Sequence, residues 1–241
     1  MTQPGFLVGP GALAGERVVL TGTELRHLRV RRLRVGNQLI LSDGQGTQRL
    51  GTLVAVDRHR ALVQLQTIEE PGRESPLRLV LAQAALKADK MDLVIEKATE
   101  LGVSEVQVFT SQRSLARPSD ARRARWERIA RSAAKQCRRS TIPLLNTPVA
   151  LGMVLSRTEA LRILFWEGRD PQLTAGIGTA GHHPSEALVV VGPEGGFSAA
   201  ETAHAAAQGF LLCTLGPRVL RAETAALAAV ALCQFLWGDL R

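Results

Sequence analysis

VVVGPEGGFSAAE, residues 189–201, joins an apolar run to a Gly-Pro-Glu-Gly-Gly turn and then to a helix start. Three branched apolar residues in succession, without alternation, mark a strand covered on both faces. Ser198 followed by Glu201 three residues later is a capping box that opens a helix. Strand, turn and helix in that order are the repeating unit of a parallel α/β sheet. A glycine-rich turn at this position often cradles phosphate, but this one is ill suited to it. Glu194 repels an anion, Pro193 offers no N–H, and neither GxxxxGK[ST] nor GxGxxG occurs. By itself the turn equally reads as an ordinary strand-to-helix connection.

The same alternation runs through the C-terminal two thirds. LRLVLAQA (77–84), VSEVQVFT (103–110), LRILFWE (161–167), ALVVVG (187–192) and FLLCTLG (210–216) read as strands. Helices are expected over 89–102, where Met91, Val94, Ile95, Ala98 and Leu101 share a face, and over 119–139, 198–208 and 222–237. The first 70 residues differ. Short β-rich runs at 16–20, 38–46, 49–57 and 60–68 surround one short helix, for which Thr23 is the expected cap, and SDGQG reads as a hairpin turn. EEPGRESP (69–76) reads as a linker, which divides the chain into 1–72, a small β-barrel with a basic rim, and 73–241, an α/β domain with a mostly parallel sheet.

Apolar content is 45% and supports a full core. No apolar run reaches the roughly 18 residues that span a bilayer, and the first ten residues lack the pattern of a signal peptide. Cys137, Cys213 and Cys233 are distant from each other and form no CxxC, as expected of reduced, buried thiols in a cytoplasmic protein. The formal charge is +8, and residues 113–139 alone carry nine Arg and one Lys against Asp120 and Glu127. Within the helix of that segment, Arg128, Arg131, Lys135 and Arg138 recur at helical spacing, opposite a face of Trp126, Ile129, Ala130, Ala133 and Cys137. A second basic window holds His27, Arg29 and Arg32. Such stripes repel themselves unless an anion lies along them, so a nucleic-acid backbone is the expected partner.

LGPRVLRAET, residues 215–224, is a second Gly-Pro strand end, with Arg218, Arg221 and Glu223 leading into a helix of small side chains. Arg221 and Glu223 read either as a polar pair at the helix start or as surface charges, with Glu223 favourable at a helix N-terminus. In an open α/β sheet the ligand sits beyond the carboxyl ends of the strands. Two Gly-Pro ends with a carboxylate between them fit a cationic adenosine without phosphate, such as S-adenosylmethionine. His182 and His183 are adjacent, chelate poorly and have no other ligand nearby, so no metal is expected.

The ordered set HLRVRRLRVGNQLILSDGQG (27–46), KADKMDLVIEKATELGV (87–103), RSL (113–115), RWERIARSAAKQCRRSTIP (125–143), VVVGPEGGFSAAE (189–201) and LGPRVLRAETAALAAVA (215–231) closely resembles the ribosomal RNA small-subunit methyltransferase E family of the SPOUT superfamily. The resemblance spans nearly the whole chain. It implies S-adenosylmethionine-dependent methylation of N3 of a uridine in the decoding region of 16S rRNA. It further implies an N-terminal PUA-like RNA-binding barrel, a C-terminal trefoil knot and a homodimer, with the small ribosomal subunit as partner and no membrane. The methyl-donor positions carried over are Phe165, Trp166, Glu167 and Gly168; Gly192, Pro193, Glu194, Gly195, Gly196 and Phe197; and Leu215, Gly216, Arg218, Val219 and Leu220. Arg113 and Arg139 are carried over as RNA-facing. The chain departs from the family where Arg138 replaces a frequent small residue and Gln112 a frequent acid, and it contains no Tyr.

Under that resemblance Arg221 is the candidate for stabilising negative charge that develops on the base. Glu223 either orients Arg221 or accepts the N3 proton. The competing expectation is a non-catalytic basic protein that binds RNA or the ribosome. It matches the charge map but leaves the two Gly-Pro strand ends without a purpose.

Overall fold

The computed structural model describes residues 3–66, 74–116, 118–168 and 184–240. They form two compact units. One holds the residues up to Glu74 together with Arg131–Ile142, and the other holds Ser75–Ala130 and the residues from Pro143 onward.

In the first unit five strands, β1 (Gly5–Leu7), β2 (Arg17–Leu20), β3 (Gln38–Ser42), β4 (Gln48–Val56) and β5 (Ala61–Leu65), form one sheet in the order β1-β3-β4-β5-β2. β1 lies parallel to β3, and the other pairings are antiparallel. The β3–β4 connection is the expected SDGQG turn, closed by Asp43 Oδ1 accepting from the Gln45 and Thr47 amides. A register shift between Leu53 and Ala55 bends β4, as an extra residue in one strand does. Phe6, Leu20, Leu28, Leu39, Leu41, Leu53 and Val63 fill the core beneath. The helix α1 (Gly22–Val30) starts earlier than expected: extended Thr21 is its N-cap and makes no side-chain cap bond, while Thr23 is already helical.

The second unit is built on a sheet that is parallel at every pairing. Its strands are β6 (Arg78–Ala84), β7 (Glu105–Thr110), β8 (Leu144–Leu145), β9 (Val149–Ala150), β10 (Leu161–Phe165), β11 (Glu186–Val191) and β12 (Leu211–Cys213). The order is β12-β10-β11-β6-β7-β8, with β9 also on β7. The helices are α2 (Ala88–Glu100), α3 (Asp120–Cys137), α4 (Leu151–Leu155), α5 (Ala199–Ala207) and α6 (Ala222–Trp237). β6, β7 and β11 are buried almost end to end, as continuous apolar runs require. On one face Phe109, Leu164, Leu188, Val190, Phe197 and Phe210 pack into a cluster. α6 packs on β6 and β11 and beside α2, and Gln234 of α6 donates to the Leu101 carbonyl at 2.9 Å.

α3 buries Trp126, Ala130 and Ala133 as its spacing predicts, and its early residues count with the second unit and its last turns with the first. It ends on Arg138, whose φ of 64° lies in the left-handed region. The Arg139 amide bonds back to the Ala134 carbonyl at 3.0 Å, the bond of a Schellman cap, in which the left-handed position is usually glycine. Of the expected linker, residues 69–73 lie outside the described residues, as do His182 and His183.

Candidate active site

Strand register places the three turns side by side. Phe165 of β10 pairs with Val191 of β11 and with Cys213 of β12, so all three strands end at one level. The chain leaves those ends as 166–168, 192–197 and 214–221. They surround a cavity of about 960 Å³, which also takes in Lys90, Val191, Ala222 and Ala225. A cavity beyond the carboxyl ends of parallel strands is where such a sheet binds its ligand.

The GPEGG turn is held from both ends. Gln83, fully buried on β6, reaches the Gly192 carbonyl at 3.3 Å. Gly196 closes the turn through its amide to the Pro193 carbonyl at 2.9 Å, with a φ of 67° that favours glycine. The capping box forms as expected: Ser198 Oγ accepts from the Glu201 amide, and Glu201 Oε2 accepts from the Ser198 amide. Glu201 Oε1 accepts from the Gln112 amide at 2.8 Å, and Arg113 Nη1 donates to the Gly195 carbonyl at 3.0 Å. Arg113 therefore braces the GPEGG turn. Phe197 stacks on Phe109, with ring centroids 6.4 Å apart.

Of the expected donor-binding residues, Phe165, Trp166, Glu167, Gly168, Gly192, Pro193, Glu194, Gly196, Phe197, Leu215, Gly216, Arg218, Val219 and Leu220 line the cavity. Gly195 does not: a side chain there would meet Arg113, 3.2 Å away. The Trp166 ring lies over Gly168, where any Cβ would overlap it. Trp166 Nε1 is buried with no hydrogen-bond partner among the described residues. A buried donor without a partner is costly unless a ligand supplies the acceptor.

Arg221 lines the cavity as the N-cap of α6. Glu223, two residues on, points elsewhere, because positions i and i+2 on a helix do not face each other. Among the described residues no ion pair joins it to Arg221. It pairs instead with Lys90 of α2, at 3.5 Å, and Lys90 also lies 3.5 Å from Glu194. Lys90 was not singled out in the sequence.

The expected RNA-facing residues fall into two groups. Arg29, Arg32, Arg113, Arg128 and Arg131 are exposed, although Arg29 also donates to the Asp57 and Arg58 carbonyls and Arg113 to the Gly195 carbonyl. The others are committed within the protein. Lys135 is held by both oxygens of Glu24 at 2.7 and 2.9 Å, which interrupts the cationic stripe. His27 Nε2 accepts from Arg31, and its ring lies against Phe6. Burial, Lys135 and Arg31 together hold the His27 pKa below 6.5. Arg139 is 5% exposed and donates to Glu74 through Nε and Nη2, so burial corrects its expected RNA-facing role. Cys213 and Cys233 are buried, and burial raises their thiol pKa values to about 11 and about 12.

A parallel sheet whose strand-end turns enclose a cavity, in a chain that also holds a small mixed β unit, defines a two-unit α/β protein with a ligand site at its strand ends. Residues 73–234 match the RNA methyltransferase domain model, and residues 20–66 match the RNA methyltransferase PUA domain. The chain belongs to the ribosomal RNA small subunit methyltransferase E family. Its relatives of that name include one from Synechocystis, 32% identical over 94% of this chain and 75% of the relative. Another, from Mycobacterium bovis, is 34% identical over 90% of this chain and 85% of the relative. The solved structure of the Neisseria gonorrhoeae enzyme, described as bound to S-adenosyl methionine, covers both chains fully at 34% identity and a TM-score of 0.89.

Proposed function

We propose that this chain transfers the methyl group of S-adenosylmethionine to N3 of a uridine in the decoding region of 16S rRNA, acting on the small ribosomal subunit in the cytoplasm as a homodimer. The observation that carries the reading is the convergence of three adjacent strand-end turns on one cavity with carboxylates and no phosphate cradle. The residues fit the donor. Glu167 and Glu194 suit a sulfonium cation, and the unpartnered Trp166 Nε1 offers a hydrogen bond to an acceptor on the ligand. Transfer breaks the methyl–sulfur bond with its electron pair left on sulfur and forms the N3–methyl bond, while the N3 proton departs.

Arg221, at the cavity wall, stabilises the negative charge that develops on the uracil. Glu223 does not line the cavity and is ion-paired through Oε2 with Lys90, so it holds the start of α6, and the N3 proton leaves to solvent. Exposed Arg29, Arg32, Arg128 and Arg131 hold RNA phosphates. The division into a PUA-like barrel, 1–72, and a SPOUT domain, 73–241, is part of the proposal. So is a C-terminal trefoil knot, for which the return of the chain from β11 to β12, on the far side of β10, is the supporting topology. The dimer surface proposed is α6. After Glu223 it carries no charged side chain, and Phe235 is 61% exposed on it, an apolar face suited to a second copy.

Calorimetry with S-adenosylmethionine tests the donor reading against a basic RNA-binding module, which gives no heat of binding. Arg221→Ala is expected to leave donor affinity within about threefold and to lower methyl transfer about 100-fold, as loss of a charge stabiliser does. Unchanged turnover removes Arg221 from the mechanism.

A further inference from the structure

Lys90 stands in the first turn of α2, where the helix dipole disfavours a cation. Its Nζ lies 3.5 Å from Glu194 Oε1 in the GPEGG turn and 3.5 Å from Glu223 Oε2 in the first turn of α6. The side chains of Lys90 and Glu194 are 26% exposed and that of Glu223 12%, so solvent screens these charges only in part. One ammonium therefore links the donor turn to the helix that starts at Arg221.

We infer that Lys90 is a positioning residue that balances the charge of the donor cavity and keeps Glu194 and Glu223 from driving their two elements apart. The inference rests on the methyl-donor reading above. The carboxylates of Glu167, Glu194 and Glu223 are matched in number by Lys90, Arg218 and Arg221. Removing Lys90 leaves an uncompensated negative charge beside the ligand. A cationic sulfonium then binds more favourably, while a neutral thioether gains nothing. That extra attraction belongs to the ground state and fades as the positive charge disperses in the transition state, so it does not speed transfer. Splaying of the two carboxylates also disturbs the alignment of donor and base, which slows it.

The test measures binding of S-adenosylmethionine and of neutral S-adenosylhomocysteine to the full chain by calorimetry, alongside methyl transfer to unmodified small subunits. In Lys90→Met the preference for the sulfonium over the thioether is expected to rise about threefold or more. In the same variant kcat falls about tenfold while the KM for the donor does not rise. Lys90→Arg restores both quantities, and Lys90→Met with Glu194→Gln returns the binding preference towards wild type. These two variants keep the test decisive if Lys90→Met alone does not fold. Wild-type protein that binds neither nucleoside overturns the donor reading itself. Wild type that binds both, with Lys90→Met indistinguishable from it, overturns only the role of Lys90. So does a Lys90→Arg variant as impaired as Lys90→Met.

Discussion

Replacing Arg139 with Met separates an architectural role from an RNA-binding one. Glu74 Oε2 accepts from Arg139 Nε at 3.0 Å and Nη2 at 2.8 Å, while Oε1 accepts from the Thr141 amide at 2.9 Å and Ser140 Oγ at 3.2 Å. The Arg139 side chain is 4% exposed and that of Glu74 27%. Breaking a fully buried pair costs about 3–5 kcal/mol because the surviving charge is stranded. Here water reaches Glu74, and Ser140 and Thr141 remain on it, so about 2–3 kcal/mol is expected. At about 2–4 °C per kcal/mol for a chain of this size, melting falls by about 5–10 °C. Scanning calorimetry reads this directly, and Glu74→Gln supplies the second corner of a double-mutant cycle. Well below the melting temperature, the RNA affinity of Arg139→Met and its salt dependence should match wild type, because a buried guanidinium releases no counterions from RNA. Unchanged melting together with weaker RNA binding and a shallower salt slope would refute the reasoning.

Two other positions give predictions outside the donor cavity. Arg138→Gly relieves a left-handed φ of 64° at the end of α3. A non-glycine residue there costs about 1–2 kcal/mol and glycine returns part of that as unfolded-state entropy, so a net gain of about 0.5–1 kcal/mol is expected in chemical denaturation. His27 has a folded-state pKa held below 6.5, first by burial and then by the charges of Lys135 and Arg31. The unfolded chain therefore takes up the proton first. Stability is full above pH 6.5 and declines as pH falls from 6.5 through the folded-state pKa, and a His27→Phe variant should lose that part of the slope in a melting series from pH 7.5 to 5.

The parallel sheet was legible because its strands are continuous apolar runs with caps and glycine turns between them; the helix over 222–237 and the Ser198–Glu201 box appear as read. Short elements were not. β1, β8, β9 and α4 span two to five residues each, too few for a period to show. The two Gly-Pro strand ends pointed to the cavity; their strands, β11 and β12, flank β10, so the two turns lie on either side of its end. What pattern alone did not carry is which way each group faces. Gly195 and Gly196 are adjacent, yet one backs onto Arg113 and the other closes the turn. Lys135 reads as part of a cationic stripe and Arg139 is carried over by the resemblance as RNA-facing, and only tertiary contacts with Glu24 and Glu74 turn them inward. Lys90 lies about a hundred residues or more in sequence from Glu194 and Glu223, so no local spacing links them. The left-handed cap at position 138 is filled here by Arg rather than Gly.

The central claim is tested most directly by incubating the protein with S-adenosylmethionine labelled on its methyl group and small ribosomal subunits lacking the modification, then mapping the label by nuclease digestion and mass spectrometry. The expected result is a single labelled nucleotide, a uridine of the 16S rRNA decoding region methylated at N3. Label on another base or another atom, or no transfer from a donor that binds, would contradict it.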